Sequence, residues 1–186
     1  MPNQTTDRWS FLVNFIKHPL RNASVAPSSR IAARNMLCGL DLEHLEYVVE
    51  LGPGTGSFTR ELYHRLPAQC KVLIVELEAG YVGRLRDQYG DRFDIVQASA
   101  AELDALLAQR NWPRVDLIIS GLPFVLPDPV KAPLWNTLKR HTERGTIYRW
   151  FTYMPPLMKQ HYKGFEMNLV RRVWANLPPM WIYSVN

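Results

Sequence analysis

The sequence predicts an α/β fold, a mostly parallel seven-stranded sheet flanked by helices and finished by an antiparallel C-terminal hairpin. Three observations carry this expectation. From Tyr47 onward, short β-branched apolar runs alternate with stretches of helical spacing, the pattern of βαβ units. A glycine-rich loop follows the first of these runs and opens a helix, where a parallel sheet places its ligand. Only Ala175 to Met180 separates the last two strand candidates, too little chain for a helical crossover, so they pair antiparallel.

The elements follow in order. Asp7 suits the N-cap of a first helix whose apolar stripe is Trp9, Leu12, Val13, Ile16 and Leu20, widened by Phe11 and Phe15. Arg8, Lys17 and Arg21 edge that stripe, and Pro19 ends or bends it. After an extended link, Ser28 is placed to cap a second helix running to about Leu37, closed by Gly39. Tyr47–Leu51, Val72–Val75, Phe93–Val96 and Val115–Ile119 read as buried strands. Ser57–Leu66, Ala79–Tyr89 and Ala100–Gln109 read as the helices between them. Beyond Gly145, Thr146–Tyr153, Asn168–Trp174 and Trp181–Val185 complete seven strands. The organisation expected is an amphipathic helix over residues 1–22 and one domain over residues 23–186.

Composition bounds the function. The chain has 186 residues, 47% apolar and 21% charged, a globular balance that argues against disorder. Two cysteines, Cys38 and Cys70, allow at most one bridge and fit a reduced compartment. No apolar run is long enough to cross a bilayer, and no secretory signal opens the chain, so a soluble cytosolic domain is expected. The net charge of +5 is uneven: residues 1–35 carry +4, residues 36–130 carry −6 and residues 131–186 carry +7. Two basic ends on one face would attract a polyanion, either nucleic acid or anionic lipid.

The loop Glu50-Leu-Gly52-Pro53-Gly54-Thr55-Gly56 carries the chemistry. Its glycines let backbone turn sharply and leave room for a ligand. Gly52 and Gly54 fit the dinucleotide pattern, but Ser57 stands where a third glycine is required. Glu50 would repel a pyrophosphate and suits a cationic ligand. Glu76, at the end of the second strand, is placed to accept both hydroxyls of a ribose. S-adenosylmethionine, a positively charged nucleoside without phosphate, meets these demands.

Val48 to Gly56 resembles motif I of class I S-adenosylmethionine-dependent methyltransferases, a Rossmann-like family, and Val72–Glu76 resembles their second motif. Ser120-Gly121-Leu122-Pro123-Phe124 is similar to the Asn-Leu-Pro-Tyr type motif with which ribosomal RNA adenine dimethylases hold and stack adenine. Gly121 stands at the amide position, however, leaving no side chain to grip the base. Ser99, followed by Ala100, replaces the aspartate that in those enzymes contacts the cofactor's adenine. The bacterial phospholipid N-methyltransferases, the PmtA type, resemble the chain over nearly all its length. The matching pieces are His18-Pro-Leu20, Val25-Ala-Pro-Ser-Ser29, Glu50–Gly56, Ser120–Phe124, Phe151-Thr-Tyr153 and Arg172-Val-Trp-Ala-Asn-Leu-Pro-Pro179.

That resemblance implies stepwise methylation of the phosphatidylethanolamine amine toward phosphatidylcholine, with S-adenosyl-L-homocysteine as by-product. Relatives are thought to act on other aminolipids such as ornithine lipids. It also implies a peripheral enzyme on the inner leaflet of the cytoplasmic membrane, with an anionic phospholipid surface and an aminophospholipid as partners and no nucleic acid; a monomer is the expectation, although the sequence does not determine the oligomeric state. The first helix fits independently: an apolar stripe with Trp and Phe, edged by cations, suits a membrane interface. Its other reading is a lid packed over the domain, and both can hold in turn.

Methyl transfer is an in-line displacement that needs a neutral, aligned nitrogen and no metal. An ordinary ammonium has a pKa of about 10.4, so on the order of one in a thousand is neutral at neutral pH, and a low-polarity pocket raises that fraction. Gly121, Leu122, Phe124 and Tyr153 are the candidate catalytic residues: the backbone of the first two could take a proton, and the two aromatics could wall a methylated cation. Trp150 and Tyr183 are weaker wall candidates, and His18 and His161 are bases by type alone. The candidate cofactor residues are Glu50, Gly52, Pro53, Gly54, Thr55, Gly56, Glu76, Ser99, Ala100 and Ser120. Ser28, Ser29, Arg30, Tyr153 and Arg171 are the candidates for substrate, with Lys163 and Arg172 as further phosphate contacts. Two alternatives remain open, a nucleic-acid methyltransferase and a non-catalytic membrane-binding module that keeps the cofactor fold.

Overall fold

The computed structural model describes residues 27–123, 126–176 and 179–186. The expected membrane helix, with Arg8, Trp9, Phe11, Leu12, Phe15, Ile16 and Lys17, lies outside them, as do His18 and Phe124. In chain order the elements are α1 (Pro27–Met36), β1 (Tyr47–Leu51), α2 (Ser57–Arg65), β2 (Lys71–Glu76), α3 (Ala79–Tyr89), β3 (Asp94–Gln97) and α4 (Leu103–Gln109). They continue with β4 (Leu117–Ser120), α5 (Asp128–Thr142), β5 (Ile147–Thr152), α6 (Pro155–His161), β6 (Asn168–Val173) and β7 (Met180–Val185).

The strands form one sheet in the order β3-β2-β1-β4-β5-β7-β6. The first five are parallel, and β7 pairs antiparallel with both β5 and β6. The expected hairpin is therefore present, with β7 inserted between β5 and β6. Because β1 continues to β2 on one side and β3 crosses to β4 on the other, the strand order reverses at β1, and a crevice opens there beyond the carboxyl ends.

Both faces of the sheet are covered, which is why the central strands read as unbroken apolar runs. Alternate residues face opposite layers. Val48, Val72 and Ile74 meet Ala32 and Met36 of α1, Leu62 of α2 and Val82 and Leu85 of α3. Val49, Leu73 and Ile118 meet Leu103 and Leu106 of α4 and Val130, Leu134 and Leu138 of α5. Burial on this scale stabilises at about 25 cal/mol per Å² of apolar surface.

Three differences from the expectation have physical causes. Helix α1 already begins at Pro27, whose fixed φ suits a first helical position, so Ser28 lies in its first turn and not at the position before it. Helix α5, at 15 residues, was not expected; Pro127 and Pro129 sit at its start and Pro133 lies inside it, masking the buried spacing of Val130, Leu134, Thr137 and Leu138. The short α6 likewise opens on Pro155 and Pro156. The end of α1 is closed as expected by Gly39 at φ +73°. Its last carbonyls gain a partner the sequence did not reveal: Arg149 Nη1 of β5 donates to Met36 O at 2.9 Å and Cys38 O at 2.7 Å. Arg92 serves α2 in the same way, donating to the carbonyls of Tyr63, Leu66 and Pro67.

Candidate active site

The glycine loop turns between β1 and α2 with Gly52, Gly54 and Gly56 all at positive φ, +64°, +55° and +81°. Two of them are also required by close packing. A Cβ on Gly52 would lie 2.7 Å from Leu122 Cδ2, and one on Gly56 would lie 2.8 Å from Leu85 Cδ2. Gly54 differs, since a Cβ there would meet nothing within 4 Å. Its position is thus an open shelf above the carboxyl end of β1. Pro53 and Gly56 are buried and Thr55 is exposed.

Two carboxylates lie beside this shelf. Glu76, at the end of β2, accepts from the Gly54 N–H at 3.0 Å through Oε2 and from Leu77 and Glu78 N–H at 2.8 and 2.9 Å through Oε1. It thereby ties the glycine loop to the turn after β2. Glu50 is wholly buried on the α2 face of β1. Its Oε2 accepts from the Thr59 hydroxyl at 2.8 Å, and its Oε1 has no hydrogen-bond partner among the described residues. Burial pushes the Glu50 carboxyl from the usual 4.5 up to about 8; Thr59 opposes the rise and the charge of Glu76 adds to it. An orphaned carboxylate oxygen this deep is costly unless a ligand completes it, and a cationic ligand would also restore the ionised form.

Across the crevice, β4 ends at Ser120, which is level with Leu51 in the β1–β4 ladder. Ser120 is buried, accepts from the Leu122 N–H at 3.3 Å and bonds the Tyr148 hydroxyl, anchoring the turn from below. Tyr148 in turn meets the Tyr162 hydroxyl at 3.2 Å, and burial raises the Tyr148 pKa to about 12. Gly121 donates to Leu51 O at 2.8 Å, and a Cβ at this position would fall 2.5 Å from Gly52 O. The motif therefore has glycine at 121 because the two turns touch there. Leu122 and Pro123 are half-buried beside Gly52.

The remaining candidates are placed as follows. Ser99 follows β3, where its hydroxyl accepts from Ala101 N–H at 3.2 Å and its own N–H donates to Glu102, a capping box for the turn that buries Ala100. Tyr153 follows β5 at the same edge of the sheet, 40% exposed, its ring 5.5 Å from Phe151 and its hydroxyl bonded to the Asn176 side chain. Burial raises the Tyr153 pKa. Ser28, Ser29 and Arg30 lie in the first turn of α1, and Arg171 lies on the edge strand β6, bonded to Asn35 of α1 at 3.1 Å. Four strand spacings, roughly 19 Å, separate β6 from β1, so Arg171 stands apart from the glycine loop. Trp150 and Tyr183 face the α5–α6 layer and are core residues; Trp150 stacks on Tyr162 at 4.5 Å and 1°. His161 closes α6, its carbonyl accepting from Trp135 Nε1 at 3.2 Å.

Two residues of this site were not anticipated in role. Thr59 lies nine residues after Glu50, in the first turn of α2, and only the packing of α2 on β1 brings them together. Asn176 belongs to a motif quoted for resemblance, but its pairing with Tyr153 depends on the chain just after β6 lying at the same end of the sheet as the end of β5.

The geometry fits S-adenosylmethionine: an open shelf at Gly54, a buried carboxylate with an unfilled acceptor at Glu50, and a second carboxylate at Glu76. Comparison with known proteins agrees. Residues 48–145, more than half of the chain, match the family described as "Methyltransferase domain". The ornithine lipid N-methyltransferase of Singulisphaera acidiphila is 31% identical over 182 residues, 95% of this chain and 94% of that protein. Ribosomal RNA small subunit methyltransferase A of Cupriavidus metallidurans is 34% identical over 95 residues, which is 51% of this chain and only 33% of that protein. Among solved structures, fibrillarin from Aeropyrum pernix in complex with S-adenosyl-L-methionine superposes with a TM-score of 0.62 at 13% identity, covering 84% of this chain and 76% of that one. TrmN from Thermus thermophilus superposes with a TM-score of 0.61 at 17% identity, covering 88% and 52%. These two show the fold alone. The sheet order, the glycine loop with its paired carboxylates and the match over residues 48–145 together place the chain in the class I S-adenosylmethionine-dependent methyltransferases.

Proposed function

We propose that this methyltransferase methylates the amine of an aminolipid at a membrane surface, with ornithine lipid and phosphatidylethanolamine as the two acceptors to test first. The observation that carries the reading is the end-to-end similarity to an ornithine lipid N-methyltransferase, 95% of this chain and 94% of that protein, against ribosomal RNA enzymes such as two that match 51% and 72% of this chain but only 33% and 43% of their own length.

In this reading Glu50, Gly52, Pro53, Gly54, Thr55, Gly56, Glu76, Ser99, Ala100 and Ser120 form the cofactor side. S-adenosylmethionine supplies an electrophilic methyl carbon on a sulfonium, and the by-product is S-adenosyl-L-homocysteine. Gly54 provides the shelf, Glu76 the acceptors for a ribose, and Glu50 a negative charge matched to a cation. Gly121, Leu122, Phe124 and Tyr153 form the acceptor side. The half-buried Leu122 and Pro123 lower local polarity, which favours the neutral amine that a displacement requires. The Tyr153 ring faces the growing positive charge of the methylated nitrogen, an interaction of about 0.5–2 kcal/mol. The displaced amine proton passes to water at the exposed mouth. Ser28, Ser29, Arg30 and Arg171 are candidates for the lipid phosphate, and residues 1–22 for the membrane anchor.

The test is methyl transfer from labelled S-adenosylmethionine to a panel of ornithine lipid and phosphatidylethanolamine in anionic vesicles, with ribosomal RNA as a further arm. Label in either lipid supports the reading and names the headgroup. Label in RNA alone overturns it.

A further inference from the structure

Six large apolar side chains among the described residues are exposed: Ile31, Leu77, Tyr153, Met154, Leu169 and Trp174. They are not scattered. Strand β6 runs parallel to β5, since both oppose β7, so its carboxyl end shares the edge that carries the active site. Leu77 follows β2, Tyr153 and Met154 follow β5, and Trp174 follows β6, which puts four of the six on that edge. Trp174 is 67% exposed and Met154 is 49% exposed.

The Trp174 ring meets Trp181 edge-on, with centroids 5.9 Å apart at 68°. Arg172 is opposite Trp181 and Leu169 opposite Tyr183 in the β6–β7 ladder, so Leu169, Arg172 and Trp181 share one face beside Trp174. Arg172 carries the positive charge on this face, whereas Arg171, opposite Ile182 and bonded to Asn35 of α1, lies on the other. From Met154 to Pro179 the cations Lys159, Lys163, Arg171 and Arg172 are all exposed, against the single carboxylate Glu166.

We propose that Met154 and Trp174, with Arg172 behind it, form a docking rim that seats the carboxyl edge of the sheet on an anionic lipid surface. This rests on the aminolipid reading above. An amine fixed in a bilayer headgroup reaches the crevice only if the mouth itself meets the interface. An indole presents an apolar body and a polar N–H and is suited to that depth. The exposed Arg172 beside it adds attraction to anionic lipid. The hydrogen bond from Asn176 to Tyr153 then links the rim to the acceptor wall, because Asn176 lies two residues beyond Trp174.

The experiment uses the full chain and vesicles of equimolar phosphatidylglycerol and phosphatidylcholine, which contain no acceptor amine. The double variant Trp174→Ser, Met154→Ser changes two exposed side chains. Its vesicle affinity by sedimentation is expected to fall about tenfold or more, with calorimetric S-adenosylmethionine binding within about twofold of wild type. Spin-labelled lipid is expected to quench wild-type tryptophan emission more than that of Trp174→Phe. Unchanged vesicle affinity of the double variant, or equal quenching of the two proteins, overturns the rim. Loss of self-association with unchanged vesicle binding overturns it as well, by making this edge a contact between two copies of the chain. Lipid methylation with vesicle affinity indifferent to the substitutions removes the rim and spares the acceptor reading. Vesicle binding lost in the variant, with no lipid labelled by wild type, does the reverse.

Discussion

Replacing Glu50 by glutamine removes a titrating proton from the centre of the sheet and keeps an oxygen that can accept from the Thr59 hydroxyl. The carboxyl titrates near 4.5 when the chain is unfolded and at about 8 in the folded protein, because burial disfavours its charge. Below the lower value both states hold the proton, and Glu50 contributes its full stability. As pH rises between the two values the unfolded chain releases the proton and the folded chain keeps it, so wild-type stability falls. Above about 8 the loss is complete. At about 1.4 kcal/mol per pH unit, the loss from this residue reaches at most ~5 kcal/mol. Glu50→Gln does not titrate. Urea unfolding of both proteins, at about pH 5 and about pH 8.5, isolates the effect in their difference. The two are expected to be similar at the lower pH, and the variant more stable by several kcal/mol at the higher. Calorimetry is expected to show S-adenosylmethionine binding weakened by about tenfold or more in the variant, since the charge facing the cation is gone. A stability difference that is the same at both pH values would refute the argument that Glu50 is buried protonated.

Further expectations follow from the same geometry. Gly121→Ala puts a Cβ against Gly52 O, for which overpacking costs about 1–3 kcal/mol; thermal unfolding should fall by about 2–4 °C for each of these, with weaker cofactor binding. An unchanged midpoint would show that the two turns separate freely. Asn176→Ala should raise KM for the lipid several-fold, with cofactor affinity unchanged, because the Tyr153 hydroxyl loses its partner and the ring its fixed position. Arg149→Met removes the bonds to the Met36 and Cys38 carbonyls and should lower stability by roughly 1–3 kcal/mol in urea, since those two acceptors lose their side-chain donor. Deleting residues 1–22 should weaken sedimentation with anionic vesicles and leave calorimetric cofactor binding nearly unchanged; equal vesicle binding would place the anchor elsewhere.

The strands were legible because a sheet buried on both faces forces continuous β-branched runs, and all seven lie within a few residues of where the sequence puts them. Helix α5 was not legible because its prolines are loop signals in isolation. In the folded chain Pro133 is tolerated: the helix packs Val130, Leu134 and Leu138 on the sheet, and Thr137 donates to the Pro133 carbonyl at 3.0 Å. The aromatics of β5 show the same division. The sequence makes Tyr153 a first candidate for a pocket wall and Trp150 a weaker one, without a geometric reason for the difference. Strand alternation sends Trp150 into the α5–α6 core, and the end of the strand leaves Tyr153 exposed beside the crevice.

The sequence by itself determined the class of fold and the cofactor, since both depend on local signals: period-two and period-3.6 apolar patterns, three glycines in one turn, and acids at fixed distances from them. What only the tertiary structure decided are the relations between segments far apart in the chain. The Gly52 and Gly121 turns touch, Thr59 bonds Glu50 and leaves Oε1 without a partner, and Asn176 returns to Tyr153. Each is set by which strands lie side by side, a choice made by burying all seven strands at once. No single segment carries the energy of that choice, so no segment's pattern records it.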